Sequence, residues 1–452
     1  MFHKVLVANR GAVAARVIRA LKALNVQAVA VYSEADAAAP YLQEADEAHL
    51  IGPGPAKESY LDQDKLIAVM LAAKCDAVHP GYGFLSENSN FALRVEGEGA
   101  TFIGPSPKFI EEMGHKARAR DLMMRYGMPI SPGSEILEDD EVAKREAERI
   151  GYPVLIKPAG GGGGIGMLPA RDEAELVKGL ESARSMASRS FGTAEVYIEK
   201  LLERPRHVEL QILGDRHGGC RHVFERDCSL QRRNQKIIEE SPAPGIGRDD
   251  IEKLAGTTAE AMARIGYDNI GTVEMLRGAD GGFHFLEVNT RLQVEHGVTE
   301  EACSVDLVAA QVRVAAGEKV ADVLPDEISV KGHAIECRVY AEDPKRFFPS
   351  PGKLEVFRIP SGEGVRVETG FAEGMQVTPF YDPMVAKVIT RGKDRDEAIA
   401  RMAGALEGFE ISGIKNNIPF LLTALRDEAF VAGDVHTGLV PEIQARAKAR
   451  EK

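Results

Sequence analysis

The most constraining feature of this 452-residue chain is residues 271–295, where polar and apolar side chains alternate around Asp280-Gly281. Asp-Gly is typical of a two-residue type I′ turn, because both central positions take positive φ. Centring the turn there predicts a hairpin with the pairs Glu274–Glu287, Thr272–Asn289, Leu276–Phe285 and Ala279–Gly282. Opposed carboxylates destabilise a sheet unless a cation neutralises them, and divalent cations such as Mg²⁺ prefer oxygen ligands. The hairpin therefore predicts a metal site.

The second strand of this hairpin is expected to continue to residue 295 with a period of two. Its polar face then carries Glu287, Asn289, Arg291, Gln293 and Glu295. An amphipathic edge strand with a solvated face is the alternative. A solvated face has no need of paired carboxylates with an arginine between them, so the pattern favours a reaction site.

Composition indicates a soluble globular protein of two or three domains, with 44% hydrophobic and 28% charged residues. A net charge of −13 disfavours nucleic acid or an anionic membrane as the main partner. The first residues form a short apolar strand without signal or transit character, and no run of 18 apolar residues occurs. The five cysteines are scattered and form no Cys-x-x-Cys pair. These features predict a cytoplasmic protein with reduced thiols.

The order of predicted strands and helices suggests three units and a short tail. Residues 1–113 alternate apolar strands (4–8, 28–32, 77–79) with helices (12–24, 63–73), which is typical of a doubly wound parallel α/β domain. Residues 114–203 form the second unit, with a lid at about 130–203 and strands at 153–157 and 195–199. Residues 204–446 form the third unit, and 447–452 the tail.

Five consecutive glycines, Gly160 to Gly164, follow a predicted strand that ends at Lys157. Glycine lets backbone N–H groups approach an anion closely. A flexible linker is the alternative, but a lysine beside the run favours a loop that covers phosphates. The run lacks Gly-Lys-Ser/Thr and is not a P-loop.

Two further segments carry polar side chains without an assigned partner. His207, Glu209 and Gln211 share one face of a predicted strand, which is either solvated or part of a site. Residues 225–240 are dense in charge and show neither helical nor strand periodicity. They indicate either a solvated loop or the lining of an anion pocket.

Five motifs resemble those of biotin carboxylases, which are ATP-grasp enzymes. They are His-Pro-Gly-Tyr-Gly-Phe-Leu-Ser-Glu-Asn (79–88), Lys-Pro-Ala-Gly-Gly-Gly-Gly-Gly (157–164), Gln-Arg-Arg-Asn-Gln-Lys (231–236), Glu-Val-Asn-Thr-Arg-Leu-Gln-Val-Glu-His (287–296) and Tyr-Asp-Pro-Met (381–384). The resemblance extends over nearly the whole chain, from residue 8 to residue 415. It implies an α/β and α+β multidomain architecture: an ATP-grasp fold with an N-terminal doubly wound domain, a mobile glycine-rich lid and a C-terminal domain.

The resemblance also implies a role for each site residue. Glu274, Glu287 and Asn289 would hold two Mg²⁺ or Mn²⁺ ions. Lys236, Arg291, Gln293 and the backbone of Val294 would bind bicarbonate; Glu295 would act as general base and Arg338 would stabilise deprotonated biotin, so that Lys236, Arg291, Glu295 and Arg338 form the catalytic set. The ATP site would be lined by Lys116, Lys157, Gly162, Gly163, Gly164, Glu199, Lys200, Leu202, His207, Gln231, Asn234 and Leu276.

The implied reaction is that of a ligase that forms a C–N bond. ATP and bicarbonate give carboxyphosphate, which breaks down to carbon dioxide and phosphate, and the biotin of a separate carrier protein is then carboxylated. No Met-Lys-Met biotin-attachment motif occurs in the chain. Carrier and carboxyltransferase subunits are therefore the expected partners, and the resemblance implies a homodimer.

Two other functions remain open at this point: another ATP-grasp ligase that joins a carboxylate to an amine, and a weakly active nucleotide-binding scaffold of a carboxylase complex. The final carboxyl acceptor, for example acetyl-CoA, propionyl-CoA, another acyl-CoA, pyruvate or urea, also stays open, with acetyl-CoA the leading expectation.

The chain departs from the family pattern at several positions. Ile165 and Leu168 stand where lid residues are usually basic, Gly297 replaces a usual proline, and Ala12 and Pro158 are also atypical. None of these is an expected ligand. The departures are expected to affect rate and lid behaviour more than the reaction class.

Overall fold

A computed structural model describes residues 1–159 and 166–450 of the chain. The predicted phosphate-covering residues Gly162, Gly163 and Gly164, together with Ile165, lie outside the described residues. The same holds for the last two residues of the predicted tail.

The first unit is a five-stranded parallel sheet in the order β3-β2-β1-β4-β5. Val5 and Val7 of its central strand face one hydrophobic core and Leu6 faces another, so both sides of the sheet are covered. This confirms the doubly wound α/β prediction. The elements are β1 Lys4–Val7, α1 Gly11–Ala23, β2 Gln27–Ser33, α2 Tyr41–Glu44, β3 Glu47–Gly52, α3 Gln63–Ala72, β4 Ala77–His79, α4 Ser89–Gly97 and β5 Thr101–Phe102.

The second unit is built on a small antiparallel sheet in the order β7-β6-β8. It has a hydrophobic core of its own, to which Ile156, Leu180 and Ile198 contribute. Its elements, with the helices that precede them, are α5 Pro107–Gly114, α6 Lys116–Arg125, α7 Asp140–Ile150, β6 Val154–Pro158, β7 Leu168–Ala170, α8 Glu173–Phe191 and β8 Val196–Lys200. The exact unit boundaries stay predictions.

The third unit is an eight-stranded antiparallel sheet in the order β13-β12-β9-β10-β11-β14-β19-β17. Its strands are β9 Arg206–Gly214, β10 Cys220–Arg232, β11 Gln235–Ser241, β12 Asn269–Arg277, β13 Phe283–Asn289, β14 His333–Tyr340, β15 Gly352–Lys353, β16 Val356–Arg358, β17 Val365–Glu368, β18 Gln376–Val377, β19 Met384–Gly392 and β20 Glu410–Ser412.

The helices of the third unit pack around this sheet. They are α9 Arg248–Ile265, α10 His296–Cys303, α11 Leu307–Ala315, α12 Val320–Val323, α13 Arg395–Glu407, α14 Ile418–Leu425, α15 Glu428–Val431 and α16 Leu439–Arg450. Across the described ranges, no helix combines the length and the apolar character needed to cross a membrane.

The hairpin of β12 and β13 pairs Glu274 with Glu287 and Thr272 with Asn289, as predicted. The predicted turn is wrong, however. Gly278 and Gly282 close a loop with one more residue than the expected turn, in which the Gly281 N–H donates to the Gly278 carbonyl and only Gly281 takes a positive φ.

The longer loop shifts the pairing by one residue, so Leu276 faces His284 and Met275 faces Phe285. The predicted pairs Leu276–Phe285 and Ala279–Gly282 are therefore wrong. A β-bulge at Leu286 inserts a second extra residue before Glu287 and restores the register. The opposed carboxylates thus result from two shifts that cancel.

The prediction that the strand continues to residue 295 is also wrong, because β13 ends at Asn289. The Thr290 N–H donates to the Glu87 carboxylate of the first unit instead of continuing the sheet. The chain then turns into α10, with a contact from the Val298 N–H to the Glu295 carbonyl. Arg291, Gln293 and Glu295 consequently lie on an irregular segment.

The charged segment at residues 225–240 is neither a loop nor solvated. It forms most of β10 and β11, and most of its side chains are buried. Register shifts interrupt β10 between His222 and Glu225 and again between Asp227 and Gln231. These bulges removed the period of two from the sequence.

Candidate active site

The structure brings every predicted site residue that it describes to one cavity of about 500 Å³. A cavity of this size is typical of small-molecule sites. The small sheet of the second unit forms one wall, and β9, β11, β12, β13 and β14 of the large sheet form the other. The roles of the individual residues stay predictions, but their convergence does not depend on the resemblance.

At the end next to the second unit, two lysines are held by carboxylates. Lys157 Nζ lies 2.5 Å from Glu199 Oε2, and Lys116 Nζ lies 2.8 Å from Glu287 Oε2. Lys200 lines the cavity, but its ammonium donates to the carbonyls of Gly151 and Tyr152. Its backbone, rather than its charge, is therefore available to a ligand.

His207, Gln231, Asn234, Leu202 and Leu276 complete this end of the cavity. The Gln231 side-chain amide lies 3.0 Å from His207 Nδ1, and His207 Nε2 lies 3.2 Å from Glu274 Oε2. Although burial opposes the charged form, the neighbouring Glu274 carboxylate raises the pKa of His207. The imidazole is thus biased toward the cation.

The predicted metal ligands Glu274, Glu287 and Asn289 all face this cavity. Two carboxylates and an amide oxygen are the donors that Mg²⁺ or Mn²⁺ prefers, so the residues fit such an ion. In this structure lysines neutralise the opposed carboxylates: Lys236 contacts Glu274 at 2.8 Å and Lys116 contacts Glu287 at 2.8 Å. The repulsion inferred from the sequence is relieved in this way.

Lys236 and Arg338 are the centre of what we call the reaction network. Lys236 Nζ contacts the carboxylates of Glu209, Glu274 and Glu295 at 2.5, 2.8 and 2.7 Å. Arg338 donates to the other oxygen of Glu295 at 2.9 Å and to Glu239 at 2.6 Å. Glu295 therefore bridges the two cations that the chemistry requires.

The electrostatics of this network keep its acids ionised. Burial opposes ionisation, but Lys236, Arg338 and Arg226 hold the pKa of the Glu295 carboxyl well below its usual value. Lys236 and His207 do the same for Glu274 against its burial. Burial acts oppositely on Lys236, yet its three carboxylate neighbours raise its pKa well above the ordinary value.

Arg291 and Gln293 extend the network toward the first unit. Arg291 donates to Glu87 at 2.8 Å and to the Asn289 side-chain oxygen at 3.0 Å. Gln293 donates to Glu274 at 3.1 Å. The metal-ligand candidates and the bicarbonate candidates are thus joined by direct hydrogen bonds.

Arg226 is the main residue that sequence reasoning missed. It is fully buried beneath the cavity and donates to the side chains of Glu209, Gln211, Thr272, Gln293 and Thr299. A signal existed, because a buried acid and amide on the 207–211 face require a cation. The bulges in β10 hid the partner.

A second cavity of about 460 Å³ adjoins the first and shares Arg291, Val294, Arg338, Tyr340 and Asp382 with it. Asn9 and Tyr82 of the first unit also line it. Tyr340, Asp382 and Tyr82 were not predicted as site residues. Arg338 thus stands at the junction of two connected cavities.

A second buried charge cluster, which we call the rear network, lies behind Val294 and Glu295. Lys387 donates to the Val294 carbonyl and pairs with Glu368 at 2.9 Å. Glu300 accepts from Arg366 at 2.7 Å and from the Leu307 N–H at 2.8 Å. Its remaining members are Arg16 and Glu336, and none of the six lines either cavity.

Comparison with known proteins matches this architecture along the whole chain. Residues 1–110 match the family "Biotin carboxylase, N-terminal domain", 115–323 match "Carbamoyl-phosphate synthase L chain, ATP binding domain", and 336–442 match "Biotin carboxylase C-terminal domain". "Biotin carboxylase 2" of Bacillus subtilis is 50% identical over 443 residues, which cover 98% of this chain and 100% of that protein. The chain belongs to the biotin carboxylase family.

Solved structures of biotin carboxylases agree with this assignment. The biotin carboxylase domain dimer of Hydrogenobacter thermophilus 2-oxoglutarate carboxylase, in complex with MgADP, ADP and bicarbonate, aligns with a TM-score of 0.93 at 45% identity, covering 98% of this chain and 99% of that one. The Campylobacter jejuni biotin carboxylase in complex with β,γ-ATP gives a TM-score of 0.94 at 42% identity, with the same coverage. The ATP-grasp fold implied by the motifs is confirmed.

Proposed function

We propose that this chain is the biotin carboxylase subunit of a biotin-dependent carboxylase. It would convert MgATP, bicarbonate and the biotin of a separate carrier protein to ADP, phosphate and carboxybiotin. The observation that carries the proposal is Glu295, which lies between Lys236 and Arg338 at the junction of the two cavities. A base and two cations at one point are what the joining of two anions requires.

Lys116, Lys157 and His207 are placed to contact the phosphates of ATP, and Glu274, Glu287 and Asn289 to hold the ions that accompany them. Such ions neutralise charge on the phosphates and so help an anion to attack. The lysines that now pair with Glu199 and Glu287 become phosphate ligands once nucleotide enters, because phosphate offers stronger charge-assisted hydrogen bonds.

Bicarbonate would lie against Arg291, Gln293 and the Val294 backbone, with Glu295 as the acceptor of its proton. When bicarbonate attracts Lys236 and Arg338, the counter-charges that depress the pKa of Glu295 are drawn away. The basicity of Glu295 therefore rises at the moment when its substrate is bound. The resulting carboxyphosphate breaks down beside Arg338.

Biotin would enter through the second cavity, where Arg338 stabilises the negative charge of its deprotonated ureido group. A guanidinium keeps its charge in such a site. Carrier and carboxyltransferase subunits are the proposed partners, since the chain has no biotin-attachment motif. The proposal includes a homodimer and the cytoplasm, where the five free thiols would stay reduced.

The deciding experiment measures ADP release with ATP, bicarbonate and free biotin, each omitted in turn. We expect turnover to require bicarbonate and to rise with biotin, and carboxybiotin to accumulate. ADP release that needs an amine and ignores bicarbonate would indicate a carboxylate–amine ligase instead. Nucleotide binding without bicarbonate-dependent ADP release would indicate a scaffold.

The final acceptor is a separate question, since the Hydrogenobacter domain above serves a 2-oxoglutarate carboxylase. Acetyl-CoA is our leading candidate. Purifying the native complex and assaying it with acetyl-CoA, propionyl-CoA, pyruvate, 2-oxoglutarate and urea would identify the acceptor.

A further inference from the structure

A groove of about 400 Å³ lies outside both reaction cavities, on the far side of the turn between β10 and β11. Its floor is apolar and includes Phe347, Val440 and Pro441. Its rim carries Arg233, Arg346 and Phe348. An apolar floor with a charged rim is the usual composition of a protein–protein interface.

The rim presents positive charge that the chain itself does not neutralise. Arg233 and Arg346 are exposed, and within the described residues no carboxylate lies at ion-pair distance from either of them. Arg233 instead lies over the ring of Phe348 at 5.8 Å, and Phe348 is 57% exposed. On a chain of net charge −13, this local excess of positive charge favours an acidic partner.

The groove is directly connected to the end of the site that would receive biotin. Arg232, which lines the groove, lies 5.6 Å from the ring centre of Tyr340, and Tyr340 lines both reaction cavities together with Arg338. Asn234 and Gln235, on the same turn, line the first cavity. A protein seated in the groove would therefore lie next to the entrance to Arg338.

We propose that this groove docks the biotin carrier protein through an acidic face with an apolar centre. The inference rests on the proposed function, which requires a biotin-bearing protein to deliver its prosthetic group to Arg338. Arg233 and Arg346 steer the carrier, and Phe348 with the apolar floor provides the short-range contact.

The test compares two substrates: free biotin and the biotinylated carrier protein of the same carboxylase complex. We expect Arg233→Glu/Arg346→Glu to raise KM for the carrier about tenfold and to weaken its salt dependence, with kcat unchanged. The same variant should carboxylate free biotin at the wild-type rate. Phe348→Ala should also raise KM for the carrier, with wild-type salt dependence.

Lys253→Glu/Lys331→Glu is the matched control, since it changes the net charge equally at exposed positions outside the groove. An equal rise in carrier KM for this control, or an unchanged KM for the groove variant, would overturn the docking site. A parallel loss with free biotin would also overturn it, because the groove would then act on the chemistry or bind a small anion. Absence of free-biotin carboxylation in the wild type would instead contradict the proposed function.

Discussion

The reaction network and the rear network have similar composition but differ in what their charges are attached to. Lys236 contacts three carboxylate side chains and faces a cavity. Lys387 contacts the Val294 carbonyl as well as Glu368, and it lines neither cavity. A substrate anion can compete for the first lysine, whereas the second holds the backbone beside Glu295. We infer that one network is used in turnover and the other fixes geometry.

The largest effect is expected in the reaction network. Glu295→Gln removes the proposed base and should lower kcat about 10²–10⁴-fold. Its unfolding free energy should stay within about 1 kcal/mol of wild type, because Glu209, Glu274 and Glu239 still neutralise the two cations. Bicarbonate-dependent ADP release and urea unfolding measure the two quantities.

Glu368→Gln in the rear network is the matched control for that variant, with the opposite pattern expected. It should destabilise the fold while the folded protein keeps most of its activity. Equal behaviour of the two glutamines would remove the distinction between the networks.

The next largest effect should be the loss of Lys387. Lys387→Met leaves Glu368 and Glu336 buried with one cation fewer, which costs about 3 kcal/mol of stability. Lys236→Met should destabilise less, since its carboxylates border a cavity that water can enter, yet it should abolish turnover. Urea unfolding of both variants at one pH gives the comparison. A Lys387→Met protein as stable as Lys236→Met would contradict the assigned roles.

Glu336 should make the stability depend on pH. Burial raises the pKa of this carboxyl to about 8 although Lys387 opposes the shift, whereas in the unfolded chain it is near 4.5. Between these values the folded state keeps a proton that the unfolded state has released, so stability falls as pH rises from about 5 to 8. Glu336→Gln should remove a part of this fall on the order of 2 kcal/mol. The exposed Glu363→Gln should leave the Tm–pH profile unchanged.

The smallest effect is expected at Gly297, which lies between the networks. A Cβ at this position would lie 2.4 Å from Ile389 Cδ1. Gly297→Ala should therefore cost about 1 kcal/mol in the wild-type background. With Ile389→Val the same change should instead stabilise, by about 0.5 kcal/mol, through the better helix propensity of alanine. A cost that persists in the Ile389→Val background would show that the glycine is needed for another reason.

Much of the site could be predicted because its residues belong to contiguous motifs. Glu287 to Glu295 are close in sequence, so their convergence needed no knowledge of distant pairing. Arg226 was missed because its partners lie on other strands and bulges disturb its own. The rear network was missed for a similar reason: its members come from α1, α10, β14, β17 and β19, and no local pattern links them.

The longer loop at Gly278–Gly282 and the bulge at Leu286 act together as a parity rule for this hairpin. Each alone displaces one strand by a single residue, and a displacement of one turns every later side chain to the opposite face. Shortening the loop by one residue would thus send Glu287 and Asn289 away from the cavity, unless Leu286 were deleted as well. Insertions and deletions at this hairpin are expected to be tolerated only as compensating pairs.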